Sequence, residues 1–324
     1  MVKQSINLAF VGSGNWARKY HFPALAHLRT TLPSDFDIEL HLHGIYSLEP
    51  VIAGTVAEQY GFGQVYPNFH ALIDDEDIDA VAVAVAPTAL TNVIEHLIVR
   101  QVPLFSEKPP GISAAEAHRL ANLVTVPNVL AFNRRFAPLN NRFREIVRAM
   151  DQIYFVDAHF LRYARLEKGF FVETAIHWIN YLEYVFGEIQ QVSVEMVHNP
   201  DHPSASNRIA SLTFLNGLPG RLTVFPCSGS QVERVAVHSS AKSVYLDGPL
   251  WESAGQIVID TGASQETTVA ERQEALPEII RLGIVGEYKE FLTRACGGQP
   301  TRSTFQNGVN TMRVAEAIEQ GRSL

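Results

Sequence analysis

The string Gly12-Ser13-Gly14-Asn15-Trp16-Ala17 follows a short apolar run and precedes a stretch of helical periodicity. In that context a G-x-G-x-x-(G/A) pattern points to dinucleotide binding. Gly12 permits the tight turn, Gly14 lets the backbone approach a pyrophosphate, and Ala17 lets helix and strand pack closely. The helix N-terminus favours the negative charge. The cofactor ribose should be read at the end of the second strand, Ile45-Tyr46-Ser47-Leu48-Glu49. Ser47 can bond either a ribose hydroxyl or a 2′-phosphate, no Arg follows it, and Glu49 lies further along. A loop over Thr30 to Asp37, containing Pro33, lengthens the interval from the glycines. NAD and NADP both stay open.

A second group is Ser106-Glu107-Lys108-Pro109-Pro110, at the carboxyl end of a short apolar run. Ligands of doubly wound sheets bind at such ends. A lysine held in a dry pocket or beside a cation can exchange a proton. Taken alone, Lys108 also reads as a solvated loop lysine. The third group is Glu173-x-x-x-His177-x-x-Asn180. Spacings of four and three place all three side chains on one helical face. Removing a proton from a carbinol needs a base, and His is matched to neutral pH. A carboxylate such as Glu173 can orient the ring. Among Ile176, Trp178 and Ile179, His177 also reads as a core residue.

The remaining candidates are weaker. His41 and His43 alternate onto one strand face but have no carboxylate or Cys near them in sequence, and His198 and His202 flank a loop. Cys227 and Cys296 form no C-x-x-C spacing and read as idle thiols of a reducing cytoplasm. No metal is expected.

The elements that must position these residues fall into two patterns. In the first third, β-rich runs alternate with helical periodicity, as in a parallel sheet covered by helices. The strands are Ile6 to Val11, Leu40 to Tyr46, Ala80 to Val85, Pro103 to Phe105 and Asn128 to Phe132. The helices are Trp16 to Leu28, Val51 to Tyr60, Thr88 to Arg100 and Ser113 to Val124, the last opened by a Ser113/Glu116 capping box. Ala80 to Ala86 has no polar residue, as expected of a strand buried on both faces, and Pro87 stops it.

After about residue 125 come β-rich stretches with few helices between them: Tyr154 to Tyr163, Gln191 to Val197, Arg208 to Phe214, Arg221 to Phe225 and Val232 to Leu246. Turns are expected at Asn216-Gly217, Pro219-Gly220 and Asp247-Gly248, and helices over Val172 to Phe186, Ile284 to Ala295 and Phe305 to Gln320. The fold class is α/β: a Rossmann doubly wound parallel sheet in a domain of residues 1–125, then an α+β domain of residues 126–324 with a large, mainly antiparallel open sheet.

A chain of 324 residues suits two domains. Its 46% hydrophobic and 19% charged residues describe a globular protein. A net charge of -8 without a Lys/Arg block gives nucleic acid or an anionic membrane no footprint. No run approaches a membrane span, and the N-terminus lacks a secretory pattern, so a cytoplasmic location is expected.

The order of glycine turn, Glu-Lys-Pro and His-bearing helix resembles the Gfo/Idh/MocA oxidoreductases. Pro87, Ala131 to Leu139 (AFNRRFAPL) and the pair of helices from Gly286-Glu287-Tyr288 to Gly321 are similar as well. The resemblance implies an NAD(P)-dependent dehydrogenase acting on a CH-OH group of a sugar, inositol or related polyol. Its relatives also take imines, tetrapyrroles or dihydrodiols, or bind NAD(P) as non-catalytic regulators. It implies cofactor contacts from Gly12, Ser13, Gly14, Asn15 and Trp16, from Ser47 and Leu48, and from Pro87, Glu107 and Lys108. Lys108 would hold the reacting hydroxyl, His177 would be its acid/base, and Asn133, Arg134, Glu173 and Asn180 would join them around the substrate. Glu173 and Asn180 stand where the family has Asp, Thr91 where it has His, and Ala86 where it has Thr. A homodimer or homotetramer through the open sheet is implied.

Overall fold

The computed structural model describes residues 4–251, 253–269 and 275–324. They form two compact units. The first runs to Phe132 and takes in Ile284–Val309; the second comprises Asn133–Gly283 and Asn310–Leu324. The first unit thus continues past residue 125 through its last strand and includes the helix Ile284–Glu290.

The sheet of the first unit contains β1 (Gln4–Val11), β2 (Ile38–Tyr46), β3 (Ala80–Val83), β4 (Leu104–Ser106) and β5 (Asn128–Leu130). All pairs are parallel, in the order β2-β1-β3-β4-β5. Strand order reverses at β1, with β2 on one side and β3 on the other. In such sheets the crevice beyond the carboxyl ends at that reversal is where ligands bind. β3 is buried at every position, as its unbroken apolar run requires. It ends at Val83, so Ala84 and Val85 leave the sheet. Pro87, which has no N–H to place, opens the helix Pro87–Leu97.

Two local expectations need correction. Thr30 to Asp37 is no loop, because the helix Phe22–Phe36 runs through Pro33 and ends at Asp37 in the left-handed region. The apolar face carries the helix across the proline, with Leu25, Leu28 and Leu32 buried. A proline removes only one backbone bond there. At Ser113 the Oγ accepts from Glu116 N at 3.2 Å, while the Glu116 carboxylate accepts from Ile112 N at 2.9 Å. The cap therefore forms with its return bond one residue early.

The second unit carries an eight-stranded sheet ordered β13-β12-β11-β10-β6-β9-β8-β7. Its strands are β6 (Ile153–Leu161), β7 (Ile189–Val197), β8 (Asn207–Phe214), β9 (Pro219–Phe225), β10 (Val232–Ser239), β11 (Ser243–Asp247), β12 (Gln256–Asp260) and β13 (Gln265–Val269). β6 and β9 run parallel and the other neighbours antiparallel. The stretch Val232 to Leu246 folds back on itself as β10 and β11, with Val237 facing Val244. Asn216-Gly217 is the β8–β9 turn, with Gly217 at φ 82°, whereas Pro219-Gly220 lies inside β9. β12 and β13 were not expected, being more polar than the strands before them.

The helix over Val172 to Phe186 is a π-helical turn, Phe171–Ala175, followed by the α-helix Ile176–Phe186. Among the described residues no helix is long and apolar enough to cross a membrane.

Candidate active site

The glycine turn is held by neighbouring strands. Gly12 N donates to Tyr46 O at 2.8 Å, and Ala84 N to Val11 O at 2.9 Å. Gly12 has φ 107°, and a Cβ there would lie 2.2 Å from Ala84 O, so only glycine fits. At Gly14, by contrast, an added Cβ would meet nothing within 4 Å. The missing side chain answers no neighbour in the fold, and the open space lies over the turn. Beside it a cavity of about 600 Å³ is lined by Gly12, Ser13 and Gly14, by Tyr46 to Glu49, and by Ala84 to Ala86. Its further wall is Phe69 with Ala89, Asn92 and Val93 of the helix Pro87–Leu97. This is the crevice at the strand reversal, mainly apolar with backbone N–H groups at one end, and it fits a dinucleotide.

The cofactor residues fall as follows. Ser13, Gly14, Ser47 and Leu48 line the cavity, Ser13 being buried and donating to Ser47 Oγ at 2.7 Å. Asn15 is exposed and accepts from Arg18. Trp16 turns its indole N–H to Glu107 Oε1 at 3.0 Å. Pro87 follows Ala86 at the cavity edge. Glu49, left aside by sequence spacing, lines the cavity, because it caps the helix Pro50–Tyr60 directly after β2. Ala89, Asn92 and Val93 were missed; their spacing of three and one puts them on one helix face, a signal open to sequence reading.

Lys108, half-buried, lies two residues past the end of β4, and its backbone N–H donates to Glu107 Oε2 at 3.0 Å. Glu107 is buried at the centre of a polar knot. Its Oε1 stands 2.9 Å from His21 Nε2, though the ring N–H does not point along that line. His21 Nδ1 lies 2.9 Å from the Tyr288 hydroxyl. Burial raises the Glu107 carboxyl, but the His21 contact and the Lys108 charge outweigh it, and the group sits below the usual carboxylate range. Glu287 is buried close by, and among the described residues His21, Glu107 and Glu287 form the one group compact enough for a cation. The two His21 nitrogens face Tyr288 and Glu107, so the cluster is a closely packed polar group.

In the second unit, His177 is buried in the first turn of the helix Ile176–Phe186. Glu173 stands one turn before it. It is exposed, on the π-helical turn Phe171–Ala175. Its carboxylate lies over Gly169. Asn180 is fully buried and engaged at both ends of its amide: Oδ1 accepts from Arg135 Nε at 2.6 Å, and Nδ2 donates to Thr311 Oγ1 at 3.0 Å. The same network holds Glu183, whose carboxyl burial pushes up. Asn133 donates to Leu282 O at 2.8 Å, and Arg134 grips Glu233 through two nitrogens at 3.2 and 2.7 Å. Arg162 contacts the same carboxylate, forming a buried triad. Asn180, Asn133 and Arg134, expected at the substrate, are thus tied into the unit's own packing.

His43 does have a carboxylate beside it, since the fold brings Asp75 to 3.0 Å from its Nε2. His198 and His202 are exposed. Cys227 is buried and Cys296 half-buried; burial lifts the Cys296 thiol to about 12.

Residues 6–133 match the oxidoreductase family with an NAD-binding Rossmann fold, and residues 160–322 match its C-terminal alpha/beta domain. The chain belongs to the Gfo/Idh/MocA oxidoreductase family. Myo-inositol 2-dehydrogenase of Thermotoga maritima is 23% identical over 299 residues, covering 82% of this chain and 85% of that protein. Inositol 2-dehydrogenase of Acidothermus cellulolyticus is 34% identical over 99 residues, 29% of each chain. A solved levoglucosan dehydrogenase in complex with NADH superposes with a TM-score of 0.84 at 16% identity, over 99% of both chains. The 3-ketoreductase KijD10 of Actinomadura kijaniata, in complex with NADP and TDP-benzene, gives 0.77 at 16% identity over 98% of both. These two likenesses concern the fold. As a Gfo/Idh/MocA member, the chain is an NAD(P)-dependent oxidoreductase.

Proposed function

We propose that this oxidoreductase transfers a hydride reversibly between NAD(P) and a secondary alcohol or hemiacetal carbon of a sugar, inositol or related polyol. The observation that carries the reading is the cavity at the β1 strand reversal, with Lys108 two residues past the carboxyl end of β4 in the same sheet. Relatives named for inositol favour a polyol.

The nicotinamide, when bound, supplies the two-electron acceptor or donor. Gly12 to Gly14 and Ser47 would hold the dinucleotide. Lys108 orients the reacting oxygen and steadies its developing negative charge. In the oxidative direction the carbinol C–H leaves as hydride, and His177 receives the hydroxyl proton. Glu173, four residues before His177, would orient its ring. Glu107 positions Lys108 through its bond to the lysine N–H.

A panel of inositols, aldoses and keto-sugars assayed by nicotinamide absorbance tests the reading. Turnover of at least one polyol is expected. Turnover of none, with NADH binding retained, would favour a nucleotide-sensing regulator. The antiparallel sheet also leads us to assign a homodimer or homotetramer through its open face; a monomer in analytical ultracentrifugation would refute it.

A further inference from the structure

We infer that the cavity selects NAD(H) over NADP(H), and that Glu49 and Leu48 make the selection. The inference rests on the dinucleotide reading of the cavity and goes beyond it. The two cofactors differ by one phosphate on the adenosine ribose, a group of nearly two negative charges that needs a cation or a fork of donors to replace its water. The end of β2 is where that ribose is read, and here it presents Tyr46, Ser47, Leu48 and Glu49 to the cavity. Glu49 is the one charged residue among those lining the cavity, with no Lys or Arg beside it.

Each residue works against a phosphate. Leu48 is 88% exposed, so it offers neither charge nor donor at the rim. Ser47 Oγ already accepts from Ser13 Oγ at 2.7 Å and from Glu49 N at 3.2 Å. Its own proton remains as a single donor, enough for a ribose hydroxyl and too little for a dianion. The N-terminus of the helix Pro50–Tyr60 would favour an anion, but Glu49 sits at its cap with no side-chain capping bond, so its carboxylate cancels that field. Arg18, on the helix after the glycine turn, is bound to Asn15 and does not line the cavity.

The test is equilibrium binding of NADH and NADPH to the full chain, followed by nicotinamide fluorescence and by calorimetry. A single carboxylate facing the phosphate across partly solvated space should give about a ten-fold preference for NADH, shrinking as salt rises. Glu49→Gln should narrow the ratio to about three-fold. Leu48→Arg combined with Glu49→Gln should equalise or reverse it. NADPH binding as tightly as NADH, or a ratio unmoved by Glu49→Gln, would overturn the inference. Binding of neither cofactor would overturn the cavity reading itself, a result distinct from binding without discrimination. Both positions are exposed, so circular dichroism should show unchanged folding.

Discussion

The carboxylate of Glu107 stands 2.9 Å from Nε2 of His21, with the Trp16 indole and the Lys108 amide on the same side chain. One buried acid therefore joins the glycine turn, through Trp16, to the turn that carries Lys108. Removing the buried carboxylate takes away the acceptor of the Trp16 indole and of the Lys108 amide, so Glu107→Ala should lower stability by about 2 kcal/mol in urea unfolding. A loss below about 1 kcal/mol would mean that water reaches the pair.

The same carboxyl sets a pH dependence. Its folded value lies below its unfolded value of 4.5, so the unfolded chain holds the extra proton between the two. The contribution is fully present above pH 4.5 and is lost as pH falls through the folded value. Glu107→Gln should flatten the stability profile below pH 4.5, measured as denaturation midpoint against pH.

Gly12 and Gly14 should separate folding from binding. Gly12→Ala places a Cβ 2.2 Å from Ala84 O at a φ of 107°, and should destabilise the first unit by more than about 2 kcal/mol. Gly14→Ala meets nothing within 4 Å, so its melting temperature should stay unchanged while NADH affinity falls about ten-fold or more. Equal NADH affinity in Gly14→Ala and wild type would remove the pyrophosphate from that position.

Lys108→Ala should lower kcat by about 100-fold or more with little change in NADH affinity. His177→Asn should lower kcat comparably and abolish the limb of the pH–rate profile that its imidazole governs. Losses confined to cofactor affinity would argue against both roles.

Asn180 is tested through its burial. Asn180→Ala removes the acceptor of Arg135 Nε and the donor to Thr311 Oγ1 and should cost about 2 kcal/mol. Asn180→Asp keeps the acceptor for Arg135 but loses the donor to Thr311 and adds a carboxylate beside the Glu183 network. It should destabilise without raising turnover; a gain in kcat would show that this position does reach substrate.

The sequence alone determined the alternating plan of the first sheet, the β-rich second half, the glycine turn and the place of Lys108 at a strand end. Apolar periodicity, prolines and glycines act locally, and their physics is written within a few residues. Tertiary structure decided the rest. The buried pair of Glu107 with His21, and the Tyr288 contact beyond it, join residues far apart in the chain that no spacing relates. The π-helical turn Phe171–Ala175 at the start of the helix that carries His177 was not legible in the spacing either. The partners that hold Asn133, Arg134 and Asn180, namely Leu282, Glu233 and Thr311, come from other elements. Glu49 came to line the cavity because Pro50 starts its helix directly after it. A buried polar group must find a partner, and which partner arrives is settled only when distant segments pack.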